Sequence, residues 1–193
     1  MDYKEAKNYL ENAQIDECEI FFKENNYQLE CGYCELLKGN INEARKIFLS
    51  IRECDMRADW AYLFIQFMNN YIQFMPSYLQ IRNFLEIDIA LLIKAGLSEA
   101  VENVINACDI FYQINQESYK FIARVLLNYN YPSIAKIFLD RGVEKCYNDP
   151  ELHFLYGMYH LNYKNNTLAK HEYEASLEVL PGYYPAIMML EKL

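Results

Sequence analysis

The sequence predicts an all-α protein built as an α-solenoid of antiparallel helical hairpins. Apolar residues recur at helical spacing nearly throughout, chain punctuation is sparse, and one small-residue pattern returns at a constant interval. Of 193 residues, 53% are hydrophobic and 23% charged, with only six Gly and five Pro. That composition supports a sizeable core and favours long helices over many short strands. Net charge is −9, so the mean field of the surface repels a phosphate backbone and nucleic acid is not an expected partner. Met1–Leu10 contains Asp2, Lys4, Glu5 and Lys7 and lacks the apolar stretch of a secretory signal. No window approaches the roughly 18 uninterrupted apolar residues of a membrane span. A cytoplasmic setting follows as the expectation, with the six cysteines reduced and mostly buried.

The elements are clearest near the C-terminus. In Asp149–Asn162, Asp149 is a helix cap, Pro150 suits the first helical position and Glu151 suits the positive end of the dipole. Leu152, Tyr156 and Tyr159 form one apolar face, and Phe154, Met158 and Leu161 another. A helix apolar on two sides needs cover on two sides, which stacking supplies. Asn166–Leu180 reads as a second helix, antiparallel to the first across the short turn at Lys164–Asn166, and Pro181 and Gly182 stop it. Further upstream, a helix is expected from about Arg57 to Asn70, a break near Pro76, and one long or two short helices from about Ser77 to Lys94.

Internal repetition organises these helices. Gly32, Ala123 and Gly157 are followed twelve residues later by Ala44, Ala135 and Ala169, and four residues beyond stand Phe48, Leu139 and Tyr173. Ala135 and Ala169 are 34 residues apart, and Ala100 lies 35 before Ala135. Small residues belong where helices approach closely, and the bulky residue fills the neighbouring hole. With Pro181 closing the last unit, this pattern resembles the tetratricopeptide repeat. The resemblance implies a right-handed solenoid in a single domain over residues 1–193. Its parts are a divergent hairpin (1–25), a repeat (28–56), an irregular segment (57–95), a partial repeat (96–116), repeats at 117–148 and 149–182, and a C-terminal helix (183–193). The tryptophan expected early in each unit is absent from all of the matched units.

The resemblance also implies a function: a scaffold or adaptor that holds a protein or peptide in a concave groove, without catalytic residues, cofactor or metal. Lys120, Arg124 and Asn128 form one stripe of a helix at four-residue steps. Lys120 matches a position that chaperone-docking members of the family use to clamp a terminal carboxylate. Arg124 and Leu155 stand where Asn is expected, so the full clamp is not carried over. The stripe either receives an acidic group from a partner or pairs internally with Glu117 or Glu151. Corresponding stripes elsewhere are apolar: Leu29, Tyr33 and Leu37, then Phe154, Met158 and Leu161. They suit an apolar peptide, unless the superhelix covers them. A chaperone shielding an apolar client segment is the first alternative.

The second alternative is a thiol oxidoreductase using Cys31 and Cys34. A C-x-x-C pair needs a helix start after a strand to activate its first thiol, and this one falls inside a helix. His153, His160 and His171 lack the spacing of a zinc site and read as surface or groove residues. The C-terminal PAIMMLEKL, from Pro185 to Leu193, is apolar on more than one side. It either caps the last repeat or mediates self-association.

Overall fold

A computed structural model describes all residues, Met1–Leu193, as thirteen α-helices joined by turns. No helix is long and apolar enough to cross a membrane. The chain divides into two compact units, Met1–Asn115 and Gln116–Leu193.

The first unit contains α1 (Tyr3–Glu11), α2 (Ile15–Glu24), α3 (Gln28–Leu37), α4 (Ile41–Ile51), α5 (Met56–Met68), α6 (Tyr78–Lys94), α7 (Ser98–Asn106) and α8 (Cys108–Ile114). α5 is its centre: Ala58 and every residue from Trp60 to Met68 are buried. Trp60 stacks on Phe64 with centroids 5.2 Å apart, and Phe67 meets Phe111 of α8 at 4.6 Å. Each such ring contributes roughly 1.5–3 kcal/mol by leaving water. α6 is a single helix. It opens on a capping box in which Ser77 Oγ accepts from the Gln80 amide while the Gln80 side chain accepts from the Ser77 amide.

The second unit contains α9 (Ser118–Asn128), α10 (Pro132–Lys145), α11 (Pro150–Asn162), α12 (Asn166–Val179) and α13 (Tyr184–Leu190). Asp149 caps α11 as its position suggests, accepting from the amides of Glu151 and Leu152. Ala186, Met189 and Leu190 of α13 pack onto the Ala169–Tyr173 core, so this helix covers α12.

One turn recurs in both units. Ala13, Asn26, Gly39, Asn70, Gly96, Asn130 and Lys164 all have positive φ. In each case the next amide reaches the carbonyl five residues back, as in Gln14 to Tyr9, Asn40 to Glu35 and Asn165 to His160. These are Schellman closures, which satisfy the last carbonyls of a helix and reverse the chain in three residues. Where helices meet, the small residues are used as the sequence implied. A Cβ on Gly32 would strike the Phe48 ring, and one on Gly157 would strike the Tyr173 ring.

Candidate functional site

The residues expected to line a groove are mostly taken up by the protein itself. Tyr33 and Leu37 adopt the covered alternative, and both are buried. Tyr33 lies edge-on to Phe48, and its hydroxyl donates to Asp88 Oδ2 at 3.0 Å. Asp88 on α6 is itself buried and also accepts from Trp60 Nε1 at 2.6 Å and from the Arg57 guanidinium. That guanidinium lies between the Tyr33 and Phe84 rings, 4.8 and 4.5 Å from their centroids. Burial, then the Asp88 charge, pushes the Tyr33 phenol well above its ordinary range. This polar knot draws Tyr33 inward, and helical spacing alone could not reveal it, because Asp88 is 55 residues away.

In the second unit the basic stripe adopts the internal pairing. Lys120 is 7% exposed and its ammonium meets Asp149 at 2.7 Å, Glu117 at 3.0 Å and Glu151 at 3.3 Å. Burial pulls this ammonium down, but hydrogen bonds to Asp149 and Glu117 outweigh it and hold it above the usual lysine range. Two of its N–H donors go to Asp149 and Glu117, and Glu151 adds an ion-pair contact. Arg124 pairs with Glu151. Asn128 is exposed. Phe154 and Leu161 are half-buried against the core that α13 covers, with the Phe154 ring 5.7 Å from Tyr173 and 5.9 Å from Tyr183. Met158 is half-buried on the same helix.

The cysteine pair is interior. Cys31 and Cys34 are buried, and the Cys18 thiol of α2 faces the carbonyls of Gln14 and Ile15. Burial pushes all three thiols up, the reverse of what an attacking thiolate needs. His153 is not a surface residue. It is 3% exposed, with Nδ1 2.9 Å from Glu172 Oε2 and Nε2 2.9 Å from the Tyr147 carbonyl. Both neighbours accept, an arrangement that favours the protonated imidazole. The Glu172 hydrogen bond raises its pKa above the ordinary value. With Asp140, Tyr156 and His171 this pair borders a cavity of about 320 Å³.

The surface that stands out lies between α5 and α6. Tyr71, Phe74, Met75, Tyr78 and Leu79 are exposed at 60, 55, 59, 44 and 54%. The loop that carries most of them is nonetheless held. Buried Gln66 of α5 accepts through Oε1 from the amides of Gln73 (2.9 Å) and Phe74 (3.2 Å), and its carbonyl accepts from Tyr71 (2.9 Å). Pro76 is buried. Buried Gln80 ties the far end to Asp59 at 2.7 Å, and Asp59 pairs with Arg52 at 2.6 Å. Apolar side chains thus face water from a backbone fixed by two buried amides. The expected groove residues did not include this loop. One signal marks it: no Asp, Glu, Lys or Arg occurs between Asp59 and Arg82, in a chain that is 23% charged.

No protein-family model matches this chain, and neither a curated protein nor a solved structure does.

Proposed function

We propose that the chain is a protein-binding scaffold that engages its partner through the Tyr71–Leu79 loop. The observation that carries this reading is the exposure of apolar side chains on a loop that Gln66 and Gln80 hold in place. Aromatic and Met side chains are the usual anchors of interfaces, and a preformed loop loses little entropy when it docks. A contiguous apolar patch on a soluble surface marks an interaction site. The loop has no charge, so its partner offers an uncharged apolar cleft rather than a basic or acidic one.

The same reading treats the helices as stacked helical pairs of the tetratricopeptide kind. Support comes from the left-handed turn residues Gly96, Asn130 and Lys164, which recur every 34 residues, and from the matching Gly32–Phe48 and Gly157–Tyr173 contacts.

Phe74→Ser/Met75→Ser tests the site. Wild type and variant are compared for partners captured from native lysate, with helix content and Tm measured alongside. The variant loses a protein that wild type retains, at unchanged stability. A partner held equally by both overturns the loop as the binding surface. A single retained species marks an adaptor, and many weak apolar clients mark a chaperone.

A further inference from the structure

Arg52, Arg57 and Arg124 pair with Asp59, Asp88 and Glu151. Arg45 and Arg82 differ: both are exposed and neither meets a carboxylate. Both also adjoin the Tyr71–Leu79 loop. Arg82 stands one turn beyond Tyr78 and Leu79 on the same side of α6. Arg45 of α4 connects to the loop through a chain of contacts. Its Nη2 donates to the Tyr62 hydroxyl at 3.4 Å, and Arg52 lies 4.2 Å over the Tyr62 ring while holding Asp59. Asp59 accepts from Gln80, which in turn accepts from the Ser77 amide at the end of the loop. The acidic residues of α5 and α6 are already engaged: Asp59 by Arg52 and Gln80, Asp88 by Arg57, and Glu86 by a partner within the chain. Two guanidiniums without an anion thus edge an uncharged apolar surface, in a protein whose net charge is −9.

We infer that the partner seated on the loop carries carboxylates around the rim of its apolar cleft, and that these pair with Arg82 and Arg45. The inference rests on the loop reading and adds the partner's charge to it. Interfaces combine an apolar centre with a polar rim, and a guanidinium is a planar fork suited to a carboxylate. The protein uses it so itself, since Arg52 grips Asp59 Oδ1 through Nε at 2.8 Å and Nη2 at 2.6 Å. Charges farther off than about 8 Å are largely screened at physiological salt, so the local guanidiniums decide what the rim accepts. A second copy of the chain brings the same guanidiniums and does not complement them. An anionic lipid surface extends past the loop and meets the acidic remainder of the molecule.

Arg82→Lys keeps the charge and adds an amine. In native lysate, a water-soluble carbodiimide joins a carboxylate to that amine as an amide, with loss of water, and mass spectrometry reads the linked residues. The expected product joins position 82 to an Asp or Glu of a protein that wild type retains and Phe74→Ser/Met75→Ser loses. Binding of that protein is then followed at rising NaCl. Wild-type association slows with salt. Arg45→Glu/Arg82→Glu lowers the association rate about tenfold at low salt and flattens the salt dependence, at unchanged helix content. Arg45→Lys/Arg82→Lys preserves both. A loop-dependent partner whose association is indifferent to the charge reversal, with no link at position 82, overturns the inference and leaves the loop reading standing. If no protein is lost on Phe74→Ser/Met75→Ser, the loop reading falls and the inference with it. Wild type that sediments with phosphatidylserine vesicles, where Arg45→Glu/Arg82→Glu does not, assigns these arginines to a lipid surface and overturns the inference as well.

Discussion

Gly157 has no room for a methyl group, because the Tyr173 ring occupies the space that a Cβ would take. Tyr173 is fully buried among Ala169 and Ala186, so the ring has little freedom to retreat. Gly157→Ala therefore lowers stability by about 1–3 kcal/mol, the usual range for overpacking, and urea denaturation reads it as a lower midpoint with unchanged slope. Gly182→Ala serves as the control, since nothing stands near its Cβ position. Asp88 is the other residue whose surroundings admit no substitute. It compensates Arg57 while accepting from Tyr33 and Trp60. Asp88→Asn leaves the guanidinium among aromatic rings without its anion, and the expected loss is about 3 kcal/mol by the same measurement.

Whole helices show how far composition and spacing reach. The pairs α3–α4 and α11–α12 were legible because a glycine and an aromatic at fixed separation state a packing contact directly. The inward turn of Tyr33 was not legible, since it depends on a buried aspartate brought from α6. Nor was the Tyr71–Leu79 loop: apolar residues read as core unless one knows that Gln66 and Gln80 are buried and hold the backbone outside. His153 was equally hidden, because its partners come from α12 and from the loop before α11. Its pKa is raised in the folded protein, so protonation and folding support each other. That contribution is fully present below the unfolded value of about 6.5 and disappears as pH climbs through the raised folded value. Thermal melts across this window show the Tm advantage of wild type over His153→Asn shrinking as pH increases. An advantage constant with pH would contradict a buried imidazolium.

At the scale of the whole molecule, charge and apolar surface oppose each other. The net −9 makes copies repel where their acidic surfaces meet, while the loop and α6 expose large apolar groups. The pI is about 4.9, and as pH falls towards it the repulsion vanishes while the apolar surface remains. Light scattering rises near that pH. Phe74→Ser/Met75→Ser reduces the rise, because it removes the exposed contact and leaves the titrating groups in place.

The uncharged run also decides how proteases see the molecule. Trypsin finds no site between Arg57 and Arg82, so it is blind to this region whether the protein is bound or free. Chymotrypsin finds Tyr71, Phe74 and Tyr78 standing in solvent. A nick between α5 and α6, followed separately from cuts at other exposed tyrosines such as Tyr147 and Tyr163, gauges whether the loop is covered.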